Sequence, residues 1–325
     1  MTADDARFLA RAIDLAERGR GTAHPNPVVG AVVVRDGEVV GEGWHVRPGE
    51  GHAEPIALAQ AGERARGATV YVSLEPCTHV TPRKPVPCAQ ACSAAGVARV
   101  VTAALDPNPL VADGRELLAA AGIAFDVAPH DSAEAVRARR QNEAWRTWIA
   151  TGRPFVTLKC AVTLDGRVAV PGRRWVSGPE SRHVVHLLRA ASDAVGVGMG
   201  TVRRENPRLD ARDVPVARQP RRLAFGSGPL PEGSQLELLS GPLAEELTQL
   251  AAADVQSLLL EGGPTLAAAF LEQGLVDKLL LFVAPTLAGE GPPLVGPLAA
   301  PLDLHALECR QVGADVLLTA YINEP

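Results

Sequence analysis

The chain is short of cysteine, shorter still of lysine, and has no long apolar run. Each shortage closes off a class of protein. No stretch approaches the roughly 20 apolar residues that span a bilayer. The opening MTADDARFLARAIDLAERG is charged and amphipathic, with no apolar core ahead of a cleavage site, so no secretory leader is expected. Five cysteines, an odd number at irregular spacing, do not make a disulfide framework. They are expected as thiols or metal ligands in a soluble cytoplasmic protein. An excess of positive charge is missing too: 32 basic against 37 acidic residues leave a net charge of -5 and a pI near 5.9. Such a chain offers no global field to a polyanion, so neither nucleic acid nor an anionic membrane is expected as partner. Only Lys84, Lys159 and Lys278 are lysines, and the remaining basic residues are arginines, which makes each lysine's position informative.

What is present is enough for two cores. With 325 residues, 46% hydrophobic and 21% charged, two domains of roughly 150 residues are the natural expectation. ARFLARAIDLAERG has helical apolar spacing and stops at Gly19, and VVGAVVVRDGEVVGEGW reads as a hairpin around Asp36-Gly37. HAEPIALAQAGERA is helical, ATVYVSL a strand, and a helix starts near Cys88. The strand ARVVTAAL, the helix GRELLAAAG and the short strand IAFDV come next. DSAEAVRARRQNEAWRTWIATGRP reads as one polar helix ending at Gly152 and Pro154, which sets the expected domains at 1–150 and 151–325. The second half restarts with the strand PFVTLKCAVTLDG, the helix SRHVVHLLRAASD, the strand AVGVG and an arginine-dense loop. SLLLEGG, the helix PTLAAAFLEQG and the strands KLLLFVAP and DVLLTAYI complete it. Strands alternating with helices imply layered α/β architecture in both halves, without internal repeat.

The chemistry concentrates at His52-Ala53-Glu54, Pro76-Cys77 and Cys88. His-x-Glu followed by Pro-Cys and a further Cys is the pattern of a zinc nucleobase deaminase. One neutral imidazole and two thiolates give zinc three ligands, cancel its charge and leave a fourth position for water. Glu54, two residues past His52 in the first turn of a helix, reaches that water without touching the metal. Cys88 opens a helix, where the positive end favours thiolate. Cys92, one turn later, is its rival and reads better as core. Cys160 and Cys309 lie in apolar contexts and read as core as well. Asn26, between two prolines, reads by itself as a turn residue. Lys159 stands inside an apolar strand, an expensive place for an unpaired ammonium, and is either a functional charge or a side chain snorkelling from an edge. GVGMGT at 196–201 follows a strand but leads into VRRENPRL with no clear helix, so it is not taken as a dinucleotide fingerprint. GGP at 262–264 is either a chain reversal or a helix start that takes a phosphate on its N–H groups.

Taken together, GTAHPNPVVGAVVVRDGEVVGEGWH, GHAE, SLEPCTH and DPNP, then FVTLKCAVTLDGR, RWVSGPESR, LLRAASDAVGVGMGTV, ENPRL and LLLEGGPTLAAAFLEQGLVDKLLLFVAP, resemble a known family. This is the bifunctional riboflavin-biosynthesis family, a diaminohydroxyphosphoribosylaminopyrimidine deaminase fused to a 5-amino-6-(5-phosphoribosylamino)uracil reductase. The resemblance implies a cytidine-deaminase-like α/β/α domain followed by a dihydrofolate-reductase-like α/β domain. It also implies zinc on His52, Cys77 and Cys88, with Glu54 as proton carrier and Asn26, His45 and Lys84 (beside Arg83) at the pyrimidine substrate. For the reductase it implies substrate contacts at Lys159, Arg173, Arg189, Leu209, Arg212 and Glu261. NADPH contacts are implied at Ala161, Trp175, Thr201, Glu205, Ser227, Gly263, Pro264 and Thr265. The implied partner is a ribosylated pyrimidine phosphate, and a homo-oligomer is expected.

The chain also departs from the family pattern. Ten residues, THVTPRKPVP, separate Cys77 from Cys88 where about eight are usual. Glu205-Asn206-Pro207 replaces a usual DDP, RRLAFGSG lacks an aspartate before Ser227, and the segment from Ser227 to Glu261 is short. Seven arginines between 203 and 222 could grip a ribose phosphate or the cofactor's 2′-phosphate. The alternative reading is a deaminase whose second domain serves as scaffold or interface. A nucleotide-binding protein without turnover is the reading from another class. Glu54 beside a three-ligand zinc set argues against it, because structural zinc fills its fourth position with protein.

Overall fold

A computed structural model describes residues 1–78, 86–109 and 114–324, which divide into two compact units, Met1–Thr151 and Gly152–Glu324. The strands of the first unit are β1 (Gly30–Arg35), β2 (Glu38–Trp44), β3 (Thr69–Val72), β4 (Arg99–Thr102) and β5 (Ala124–Val127), in the order β2-β1-β3-β4-β5. β1 turns back on β2 through Asp36 and Gly37, both at positive φ, and also meets β3 antiparallel, whereas β3, β4 and β5 run parallel. Alternation along β1 sends Ala31 and Val33 to the face covered by α2 (Ala53–Ala61), α3 (Cys88–Ala95) and α4 (Gly114–Ala120). Val32 and Val34 go to the opposite face, under α1 (Ala3–Ala16) and α5 (Ala133–Gln141). The unit is thus an α/β/α sandwich.

Two features aim the elements that matter for chemistry. Gly41 and Gly43 of β2 lie directly under α2: a Cβ on either would overlap a carbonyl oxygen, of Ala57 or of Ala53. The first turn of α2 therefore rests on bare strand backbone. The second feature corrects an expectation. The polar helix anticipated from 131 to 154 is broken at Asn142 into α5 and α6 (Glu143–Thr151). The Asn142 side chain accepts from Val28 N and donates to Val28 O, both at 2.9 Å, and is buried there. Those bonds compete with helix continuation and redirect α6.

The second unit holds an eight-stranded sheet. Its strands are β6 (Phe155–Thr163), β7 (Ala194–Gly198), β8 (Arg221–Phe225), β9 (Glu237–Leu239), β10 (Ser257–Leu260), β11 (Lys278–Ala284), β12 (His305–Val312) and β13 (Asp315–Tyr321). They lie in the order β12-β13-β11-β6-β10-β7-β8-β9, with β13 antiparallel to both its neighbours, β12 and β11, and every other pairing parallel. Helices α7 (Pro179–Ala191), α8 (Met199–Glu205), α9 (Leu243–Ala252) and α10 (Pro264–Glu272) cover it. Val156, Leu158 and Cys160 pack with Leu247, Leu250, Ala267 and Phe270 of α9 and α10. Strand alternation then sends Lys159 and Ala161 to the α7 side, where Ala161 packs near Val185.

Two more expectations need correction here. VRRE is not loop but the body of α8, which stops at Asn206 in the left-handed conformation, φ 39, with its N–H on the Val202 carbonyl. Asparagine tolerates that cap nearly as glycine does. Cys309 is not core: β12 is an edge strand whose first seven residues are all exposed. Cys92 and Cys160 are buried as expected. Among the described residues, no helix is long and apolar enough to cross a membrane.

Candidate functional site

In the first unit, His52 is the N-cap of α2 but does not cap it with its side chain. Its Nδ1 instead lies 3.8 Å from Cys77 Sγ and 3.5 Å from Cys88 Sγ. The three donor atoms fall within 4.8 Å of one another. Donors bonded to one tetrahedral zinc at about 2.0–2.3 Å stand roughly 3.6 Å apart for N and S. The two observed N–S separations are close to that value. Cys88 is the first residue of α3, and its N–H points at Cys77 Sγ from 3.4 Å, so the helix start favours both sulfurs as thiolates. Cys92 sits one turn deeper, outside this trio, where burial pushes its thiol up and keeps it protonated. None of the five cysteines forms a disulfide.

His52 and Cys77 line a cleft of about 370 Å³, and Glu54, 2% exposed, lines it too from the first turn of α2. Asn26 Nδ2 lies 3.0 Å from His45 Nε2, and His45 Nδ1 lies 3.2 Å from the Gly51 carbonyl. With the proton on Nδ1, His45 donates to the Gly51 carbonyl while Nε2 accepts from the Asn26 amide. Residues not singled out from the sequence complete the walls. Glu75 and Asp106 are close: the Asp106 N–H donates to Glu75 Oε2 at 3.2 Å. Burial pushes the Asp106 carboxyl up to about 6, and the neighbouring Glu75 charge adds to the effect. Burial raises Glu75 as well. Trp145, Trp148 and Ile149 of α6 form an apolar wall. Glu75 and Asp106 lie inside EPC and DPNP, so their motifs were visible; the tryptophans carried no signal, because only the break at Asn142 brings them there. Lys84 and Arg83 lie outside the described residues.

In the second unit a buried charge cluster forms on the α7 side of the sheet. Glu261, just past β10, accepts from Arg189 Nε at 2.6 Å and Nη2 at 3.1 Å and pairs with Lys159 Nζ at 3.5 Å. All three side chains are nearly buried, at 11–15% exposure. Burial alone would raise the Glu261 carboxyl, but the Lys159 and Arg189 charges outweigh it and hold it below its ordinary range. Lys159 is thus neither edge-bound nor snorkelling: β6 lies between β11 and β10. Arg189 also donates to the Asp210 carbonyl at 3.1 Å, and Asp210 in turn holds Arg212 at 2.7 Å. Leu209, between these, is buried at φ 52, a strained conformation for leucine. Arg173 is exposed and reaches Thr286 Oγ1 at 3.5 Å.

The residues expected at the cofactor lie toward the carboxyl ends of the parallel strands or on the segments just beyond those ends. Thr201 and Glu205 are on α8, Ser227 comes after β8, and Gly263 is the N-cap of α10 with Pro264 and Thr265 in its first turn. Ala161 is inside β6. Trp175 is 51% exposed, with the guanidinium groups of Arg174 and Arg182 at 4.9 and 5.4 Å from its ring. Pro264 at the first helical position leaves no N–H wasted, and Gly263 brings bare backbone to the strand end. The edge formed by carboxyl ends is where open parallel sheets bind ligands.

Comparison with known proteins matches each unit separately. Residues 2–104 fit the cytidine and deoxycytidylate deaminase zinc-binding region, and residues 154–318 fit the RibD C-terminal domain. The chain is 40% identical to the riboflavin biosynthesis protein RibD of Aquifex aeolicus, over 88% of each chain. It is 38% identical to RibD of Escherichia coli, over 97% of this chain and 98% of that one. Among solved structures, Acinetobacter baumannii RibD superposes with a TM-score of 0.83 at 35% identity, covering 98% of both chains. A Thermotoga maritima diaminohydroxyphosphoribosylaminopyrimidine deaminase/5-amino-6-(5-phosphoribosylamino)uracil reductase superposes with a TM-score of 0.82 at 30% identity and the same coverage.

Proposed function

The chain belongs to the RibD family of riboflavin biosynthesis proteins, and on that premise we propose how its two units divide a bifunctional deaminase and reductase. The first unit, up to residue 150, deaminates 2,5-diamino-6-(5-phosphoribosylamino)pyrimidin-4-one. The second, from residue 151, reduces the ribose of the deaminated product to a ribityl chain with NADPH. The observation that carries the reading is the His52, Cys77 and Cys88 donor set, two of whose members line the same cleft as Glu54.

His52, Cys77 and Cys88 hold the zinc, which when bound lowers the pKa of a water to near 7 and so supplies hydroxide at neutral pH. Glu54 takes the proton of the attacking water and passes it to the departing amino group, so that the C–O bond forms first and ammonia then leaves as the C–N bond breaks. His45 orients Asn26, whose amide oxygen accepts from an N–H of the pyrimidine. Trp145 and Trp148 offer apolar surface to the flat ring. Lys84 is assigned to the substrate phosphate.

In the second unit Lys159, Arg173, Arg189, Leu209, Arg212 and Glu261 are assigned to the substrate. Ala161, Trp175, Thr201, Glu205, Ser227, Gly263, Pro264 and Thr265 are assigned to NADPH, which supplies the hydride. Glu261 fixes Lys159 and Arg189 so that the ammonium can deliver the accompanying proton. The match to the RibD C-terminal domain supports this half. A cytoplasmic setting, a homo-oligomer and the absence of nucleic-acid or membrane partners belong to the same proposal, and the net charge of -5 supports the last of these.

Product mass decides the reading. Incubated with the diaminopyrimidine ribosyl phosphate, the protein is expected to yield the deaminated product without NADPH and a further gain of two hydrogens with it. Deamination alone would reduce the second unit to a scaffold, and no mass change from zinc-loaded protein would sink the enzyme reading.

A further inference from the structure

Arginines crowd the stretch from 203 to 222, and their partners separate them. Arg208 and Arg212 pair with Asp210, Arg218 with Asp193, and Arg221 with Glu237. Arg222, on the opposite end of β8 from Ser227, donates to the Gln235 amide oxygen. Arg203 and Arg204, in the last turn of α8, have no carboxylate in ion-pair distance among the described residues. Both are exposed, so two of the three cations in the stretch without an acid partner stand together at the end of α8, and Arg222 lies apart from them.

That place is the turn that leaves β8. Arg203 Nη2 donates to the Ser227 carbonyl at 2.6 Å. The guanidinium lies over Gly228, where a Cβ would stand 2.9 Å from Nη2, and Gly228 has φ +96. Glycine here lets the cation lie against the turn while its other N–H groups stay available. The exit from β8, Phe225 to Gly228, contains no carboxylate. Helix polarity alone would favour a cation in this last turn, but it would not bind that cation to the neighbouring strand's turn.

Strand register gives the turn its meaning. Phe225 pairs with Gly198 at the end of β7, and Leu260 of β10 pairs with Gly196, so the three carboxyl ends are nearly level. Gly198 and Gly262 both present bare backbone next to Leu266 of α10. Ser227 lies one strand beyond β7 and two beyond β10, roughly 10 Å from the latter. In a parallel α/β sheet that binds a dinucleotide, a neighbouring strand's exit meets the adenosine ribose. An acid there takes the 2′-hydroxyl of NADH, and an arginine accommodates the 2′-phosphate of NADPH. We propose that Arg203, seconded by Arg204, holds the adenosine 2′-phosphate at the Ser227 turn and thereby sets the preference for NADPH over NADH.

This inference rests on the reading of the second unit as the reductase, and binding of cofactor alone tests the two apart. Full-length wild type, Arg203→Gln and Arg204→Gln are titrated with NADPH and with NADH by calorimetry. Arg203→Gln is expected to weaken NADPH about 10- to 100-fold, the loss of a charged hydrogen bond, and to leave NADH within twofold. Arg204→Gln, which keeps the bond to Ser227, is expected to weaken NADPH alone by a smaller factor. Equal loss of both dinucleotides in Arg203→Gln, with no NADPH-specific loss in Arg204→Gln, would make Arg203 a clamp of the turn and overturn the inference. So would unchanged NADPH binding in both variants. Wild type that binds neither dinucleotide, with deamination intact, would overturn the reductase reading itself.

Discussion

Replacing Glu261 by Gln keeps its shape and removes its charge from a site where two cations depend on it. At 3.5 Å from Lys159, and with an effective dielectric constant of about 20, the attraction is about 5 kcal/mol before desolvation is counted. Arg189 adds two short hydrogen bonds to the same carboxylate. Desolvation offsets most of that gross sum. What an experiment reads is the cost of leaving Lys159 and Arg189 buried without their partner, about 3–5 kcal/mol. For a unit of this size that corresponds to a fall in Tm of about 6–20 °C. Scanning calorimetry of Glu261→Gln at pH 7 measures it. The double variant Lys159→Met with Glu261→Gln relieves one stranded cation and is expected to recover at least about 1 kcal/mol relative to additive losses. A Tm shift below about 2 °C, or strict additivity, would refute the description of this cluster as a coupled buried network.

Acid should erase the same contribution. The Glu261 carboxyl is held below its ordinary 4.5 because the Lys159 and Arg189 charges outweigh burial. Between the two values the unfolded chain binds the proton that the folded protein refuses. The carboxylate's stabilisation is therefore complete above about pH 4.5 and drains away as pH falls through the folded value. The gap between wild type and Glu261→Gln is expected to be constant from pH 8 to 5 and to narrow below that. A gap that widens on acidification would contradict the assignment.

In the first unit, Cys88→Ala is expected to lose zinc, measured by atomic absorption after dialysis, together with deamination. Glu54→Gln should keep the metal and lose deamination by a factor of about 100 or more; loss of metal from that variant would place Glu54 among the ligands. Asp106, pushed up to about 6 chiefly by burial, destabilises the fold as pH rises from its ordinary 3.8 through that value. With both proteins stripped of zinc, Asp106→Asn should therefore exceed wild type in stability by about 1–3 kcal/mol at pH 8, with the gain vanishing near pH 4, as read from denaturant midpoints. Cys309 is the exposed cysteine, whereas Cys92 and Cys160 are buried with thiols pushed up, Cys160 to about 11. Brief alkylation of the zinc-loaded native protein should label Cys309, and fast labelling of Cys92 would contradict its burial.

The metal site was legible because its information is local and chemically narrow. His52 and Glu54 are two residues apart, Cys77 and Cys88 flank one helix start, and few proteins need that donor set for anything but zinc. The cleft around it was legible only in part. Glu75 and Asp106 stand within visible motifs, but nothing in WRTWI marks a cleft wall. Its placement depends on Asn142 trading helical hydrogen bonds for two bonds to Val28, a contact between segments far apart in sequence. The break of the polar helix escaped notice for the same reason.

The second unit shows the limit more sharply. Lys159 announced itself as an ammonium in an apolar strand, and the physics demanded a partner, yet the strand does not name one. Glu261 in LLLEGG looks like an ordinary strand exit. It becomes the partner only because β10 is inserted beside β6, in parallel and in register from Phe155 to Leu158. That insertion is a property of strand order, which neither segment encodes alone. The same holds for Arg203, whose neighbour Ser227 belongs to another element, so an arginine-rich stretch read as loop hid a helix end fixed against a strand's exit. Where a site is assembled from several strand ends, sequence can supply the charges and the need for partners, but pairing them requires the sheet.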